Sequence, residues 1–109
     1  MTPNEFRRIA LSFPETDESE HMGHPDYRVG GKVFATLGYP DRNYGMVKLS
    51  PITQKEFLAE APKAFRPAKG KWGMQGATIV NLKFVSKRHI TSALKEAWYA
   101  RAPARFKKI

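Results

Sequence analysis

The 109-residue sequence predicts an α+β fold, an antiparallel sheet with helices packed on one face. Short runs of period-two alternation follow one another across tight turns, the pattern of hairpins. Helical periodicity appears in only three places, too few to place a crossover helix after each strand, which argues against a parallel sheet. No repeat, low-complexity segment or linker interrupts residues 1–109, and a chain of this length makes one domain of the usual roughly 100–200 residues.

The first helix opens at Thr2, with Pro3 at the first helical position and Glu5 completing a capping box. Phe6, Ile9, Ala10 and Phe13 recur at helical spacing until Pro14. Asp17, Glu18 and Glu20 form an acidic run that reads as a solvated loop and strand edge. Residues 26–29 and 32–37 are strands joined by Gly30-Gly31, a two-residue turn that favours a hairpin. Tyr39-Pro40-Asp41-Arg42-Asn43 turns the chain into another strand over residues 44–49. A second helix is expected with Thr53 and Glu56 as its capping box, Phe57, Leu58 and Ala61 on its apolar side, and Pro62 as its stop. Residues 65–76 read as a glycine-rich hairpin tip, and residues 77–84 as a late strand. The last helix starts at Ser86, an N-cap, and lines up Ile90, Leu94, Ala97 and Trp98 before Pro103.

Charge narrows the function. Residues 1–31 hold three basic against six acidic side chains, a net of −3; residues 32–109 hold sixteen against four, a net of +12. Such an imbalance builds a directional field that attracts polyanions, and nucleic acid is the commonest of these. The absence of cysteine removes thiol catalysis, zinc-finger ligation and disulfides, in keeping with a reducing compartment. Residues 1–13 carry Glu5, Arg7 and Arg8 and no signal-length apolar run, and no stretch approaches the roughly 20 apolar residues of a membrane span. A soluble, cytoplasmic protein with no membrane partner is expected.

The stretch His21-Met22-Gly23-His24-Pro25-Asp26-Tyr27-Arg28-Val29-Gly30-Gly31-Lys32-Val33-Phe34-Ala35-Thr36-Leu37 resembles the MmcQ/YjbR family of small bacterial proteins. The likeness continues through Gly45-Met46-Val47-Lys48-Leu49, Lys71-Trp72-Gly73, Ala97-Trp98 and Ala102-Pro103, and so spans nearly the whole chain. It implies an α+β domain related in shape to the frataxin-like (CyaY-like) fold, and a DNA-binding label that rests mainly on shape and charge. It implies no catalytic residue. Many relatives have a His-Trp pair before the late strand; here Lys71-Trp72 is followed by an extra Gly73-Met74-Gln75-Gly76, so no role for that histidine carries over.

Lys63, Arg66, Lys69 and Lys71 fall within nine residues beside Trp72, and a tip of that kind follows a phosphate backbone while its aromatic stacks or wedges. Lys87 and Arg88 begin the last helix, whose dipole already favours anions. The opposing reading makes these cations ordinary surface lysines and arginines and packs Trp72 in the core. No helix carries enough base-reading side chains for sequence-specific recognition. His21, His24 and Asp26 have the chemistry of metal ligands, but a structural turn entering the hairpin, with His24 bonded to backbone, is expected instead, and neither metal nor cofactor. No serine has the glycine-flanked elbow of a nucleophile, and Gly30-Gly31-Lys32 lacks the full phosphate-loop pattern. Tyr39 and Tyr44 flank a turn, where they rim a groove or pack against a helix. The tail, with Arg101, Arg105, Lys107 and Lys108, reads equally as an arm onto phosphates or a frayed end. The expectation is a non-enzymatic monomer or homodimer that binds nucleic acid, DNA before RNA, through a basic face. The alternative is a module that binds an acidic protein or a small anion.

Overall fold

Thr2 caps the first helix as its sequence requires. Its hydroxyl accepts from the Glu5 amide, the Glu5 carboxylate accepts from the Thr2 amide, and α1 runs over Pro3–Leu11. In the computed structural model, which describes residues 1–107, four strands follow: β1 (Thr16–His21), β2 (His24–Val29), β3 (Lys32–Leu37) and β4 (Tyr44–Lys48). Then come α2 (Pro51–Glu60), β5 (Phe65–Pro67), a short α3 (Gly70–Met74), β6 (Ala77–Asn81) and α4 (Lys87–Arg101). A 3-10 turn at Ala104–Phe106 ends the described chain. The six strands form one sheet in the order β1-β2-β3-β4-β6-β5, each neighbouring pair antiparallel. The expected α+β arrangement is what the chain adopts.

The main core lies between the sheet and the helices. Phe6 and Ala10 of α1 and Ile90, Ala93, Leu94, Ala97 and Trp98 of α4 pack on Tyr27, Val29, Ala35, Leu37, Val47 and Val80. A bulge between Tyr27 and Arg28 lets β3 turn both Phe34 and Ala35 into this core. Gly45 leaves room for the Phe6 ring, which an added Cβ would meet at 2.9 Å. The indole of Trp98 donates to the Pro14 carbonyl at 3.0 Å, so its one polar atom is satisfied as the ring is buried. The Arg7 Nε donates to both Glu18 oxygens, at 3.1 and 2.9 Å, which ties α1 to β1 and holds the Glu18 carboxyl below its usual range.

Several expectations are corrected. The acidic run is a full strand: β1 pairs along its whole length with β2 and is exposed almost throughout, so no apolar alternation announced it. The turn between them is Met22-Gly23, both with positive φ, and His24-Pro25-Asp26 is strand, not turn. The cap of α2 is Ser50, which accepts from the Thr53 amide at 3.1 Å, because Pro51 takes the first helical position. Residues 65–76 are not a hairpin tip: β5 ends at Pro67, α3 follows, and the late strand stops at Asn81, whose side chain accepts from the Lys83 amide. The tail folds back: Pro103 lies against Gly30, and the Lys107 ammonium sits 4.8 Å from the Tyr99 ring. Lys108 lies outside the described residues.

Ser86 accepts from the His89 amide at 3.0 Å at the start of α4. Ser86→Ala should therefore cost about 1 kcal/mol in a denaturant titration, the usual worth of an N-cap; an unchanged midpoint would show that water or the preceding chain replaces the bond.

Candidate nucleic-acid interface

The sheet face turned away from α1, α2 and α4 has a thin cover, and the candidate site lies on it. Strand alternation puts Tyr44, Met46 and Lys48 of β4 there, opposite the core residues Gly45, Val47 and Leu49. One cross-strand row runs Asp26, Thr36, Met46, Ile79, Arg66 over five strands. At one end the buried Asp26 carboxylate accepts two bonds from the Arg28 guanidinium, at 2.9 and 3.0 Å. At the other, Arg66 lies with its guanidinium 5.4 Å from the Tyr44 ring. Met46, Ala77 and Ile79 form a small second core here, with Tyr44 and Ala68 against it.

Residues 66–72 rim this face, because α3 is pinned where it stands. Gln54 is buried and donates to the carbonyls of Gly73 and Ala77, and Gly73 packs so closely on Ala68 that a Cβ would overlap its carbonyl oxygen. This fixes the backbone at Trp72 while leaving its side chain 58% exposed, so the indole is not in the core. The Lys48 ammonium lies 5.9 Å from the indole centroid. Partial burial, and then the nearby Arg101 guanidinium, hold that ammonium below the usual lysine range, although Asp26 pulls the other way.

Among the sequence-predicted residues, Lys63, Arg66, Lys69, Lys71 and Trp72 are all exposed and follow one another along the loop before β5, β5 itself and α3. Lys63 and Arg66 share a shallow groove with Tyr44 and Asn81. Tyr44 and Asn81 continue into a second groove carrying Arg42 and Lys83, so the cations run on around the sheet end. Lys87 and Arg88 are exposed too, but they open α4 in the helical layer, and the sheet separates that layer from Trp72. The ion pairs among the described residues are Arg7–Glu18, Arg28–Asp26 and His89–Glu60. None uses a lysine or arginine from residues 32–107, so the positive charge of that region is not neutralised by ion pairing within the described fold.

A cleft of about 380 Å³ opens on the same face, with a mainly apolar lining. Trp72 is one wall; Met22 and Tyr39, which come from turns, are the other; Thr36 and Met46 are the floor, with His21 and His24 at the rim. Sequence reasoning assigned no ligand-binding role to Met22, Thr36, Met46 or Lys48. The available signal was that Met46 and Lys48 alternate out of phase with the core residues of β4. His24 is not bonded to backbone as expected; its ring meets Tyr39 edge-on at 6.3 Å. Asp26 is engaged by Arg28, and among the described residues no three His, Cys, Asp or Glu side chains gather as metal ligands.

No helix among the described residues is long and apolar enough to cross a membrane. No curated protein matches the sequence. Among solved structures, the fold is similar to the crystal structure of Deinococcus radiodurans protein DR2400, which carries the family-model domain DUF419. The TM-score is 0.77 at 16% identity, over 98% of this chain and 83% of that one. The family model for YjbR matches residues 11–100, which takes in the whole sheet, α2, α3 and nearly all of α4, and the chain belongs to the YjbR family.

Proposed function

We propose that this YjbR-family chain binds nucleic acid, DNA in the first instance, by weakly selective contacts to phosphates. Lys63, Arg66, Lys69 and Lys71 are the neutralising group. One observation carries this reading: these four cations stand exposed along one continuous rim of the sheet, and none is in an ion pair among the described residues. Desolvating a lysine beside a protein carboxylate would cost the complex a competing interaction; here a phosphate meets no such competitor. Phosphate contacts fix position without reading bases, which suits a site with no recognition helix.

Salt dependence tests the proposal. Four neutralised phosphates should give a slope of about −3 to −4 when log affinity for a labelled duplex is plotted against log salt. A slope near zero, or no binding in dilute buffer, would overturn it.

A further inference from the structure

We propose that the cleft on the open sheet face receives an unpaired base, stacked on Trp72, so that the preferred ligand is a single strand of nucleic acid. This inference rests on the phosphate-binding reading above and adds the form of the ligand.

The indole is the first reason. Gln54 and the Gly73–Ala68 contact hold α3 rigidly, yet Trp72 stays 58% exposed. An aromatic face open to water on a fixed backbone is a stacking platform whose backbone ordering cost is already met. The facing wall is also apolar and also exposed, Tyr39 at 51% and Met22 at 84%. Apolar side chains that converge in solvent across a preformed cleft mark a ligand site rather than scattered surface residues. At about 380 Å³ the cleft is small-molecule sized, in the range of roughly 300–1,000 Å³ for such sites, and fits a heterocycle but not a duplex.

Polarity and charge then choose among heterocycles. Thr36, His21 and His24 reach the cleft, and among the described residues their side chains make no hydrogen bond, which leaves donors and acceptors for a base edge. Cations lie close to the stacking face: Lys48 lies 5.9 Å from the indole centroid, and Lys69 and Lys71 come just before Trp72 in the chain. A base in the cleft thus brings its own phosphates to ammonium groups, whereas a neutral aromatic ligand would leave them unused. Inside a duplex both faces of each base are covered by neighbours, so away from its two ends only an unpaired base presents a face to Trp72.

The test compares three labelled ligands of equal length at one salt concentration: a thymidine single strand, a blunt duplex, and a strand whose central positions are abasic. The single strand should bind about tenfold more tightly than the abasic strand, the range of one stacked base. It should also bind more tightly than the duplex and quench Trp72 fluorescence. Trp72→Ala should bring single strand and abasic strand to parity, and Trp72→Phe should keep most of the difference. Equal binding of the three by the wild-type protein, with normal salt sensitivity, overturns the base site and leaves phosphate binding standing. Failure of all three to bind in dilute buffer removes both. The abasic comparison changes no protein residue, so it is decisive even if a Trp72 variant folds poorly.

Discussion

Gly76→Ala should lower the stability of this domain by about 4 kcal/mol, among the largest losses a single methyl group produces. Gly76 has φ +111°, a conformation that L side chains rarely adopt, and an added Cβ would lie 1.8 Å from the Leu49 carbonyl oxygen. The oxygen belongs to backbone and the position of a Cβ is set by backbone, so no rotamer change relieves the overlap. The Gly76 carbonyl accepts from the Leu49 amide at 3.1 Å, and the contact fastens the α3–β6 junction to the β4–α2 junction. Separating them opens the sheet end on which Trp72 rests. For a domain of this size the loss corresponds to a melting temperature lower by roughly 20 °C. Gly31→Ala is the comparison: its φ is +79°, but nothing lies within 4 Å of the added Cβ. That substitution should cost only about 1–2 kcal/mol, the conformational penalty alone. Equal melting temperatures for the two variants would mean that the Leu49 contact relaxes freely.

That pair of glycines also shows how far the fold was legible. Gly30-Gly31 announced its turn because flanking strands alternate on either side and both residues take positive φ. Gly73 and Gly76 looked like turn residues of the same sort; Gly76 does take a positive φ in a turn, but both are also places where two segments of backbone touch. Composition does not separate the two uses of glycine; only the identity of the neighbour does. Likewise β1 was hidden because an edge strand held by backbone bonds needs no apolar face, and its turn carried Met22 at φ +52° where Asn or Gly would have signalled it. The ends of α1 and α4 were readable since their caps are local: Thr2 with Glu5, and Ser86 with His89, are satisfied within one turn.

The candidate site was half legible for a related reason. Lys63, Arg66, Lys69 and Lys71 are close in sequence, and adjacency along the chain carried over to adjacency on one rim. Lys87 and Arg88 are as basic, but which layer they join depends on where α4 packs, which its N-terminal residues do not encode. The cleft is assembled from the turns after β1 and β3, the middle of β3 and β4, and α3. No window of sequence contains it. The register of β2, β3 and β4, which brings Asp26, Thr36 and Met46 into line, had to be seen in space.

Lys69→Glu combined with Lys71→Glu should weaken duplex and single-strand binding by at least about fiftyfold near 0.1 M salt. With a slope of about −0.9 per phosphate, each lost contact is worth roughly eightfold at that salt concentration, and two contacts multiply. The salt slope should flatten by about 2. Folding should survive, within about 0.5 kcal/mol, because both side chains are exposed and the cap position of Lys69 makes no side-chain bond. The informative comparison is Lys87→Glu combined with Arg88→Glu. Each reversal subtracts two charges, so either pair takes the formal net charge from +9 to +5 and changes the long-range field by the same amount. The two pairs differ in place, with Lys69 and Lys71 beside Trp72 and Lys87 and Arg88 in the helical layer. Contact at the sheet rim predicts a much smaller loss, and an unflattened slope, for the α4 pair. Equal losses would mean that the charge acts at a distance and the rim has no special claim. A larger loss for the α4 pair would move the interface to the helical side, and the apolar cleft would then face away from the nucleic acid.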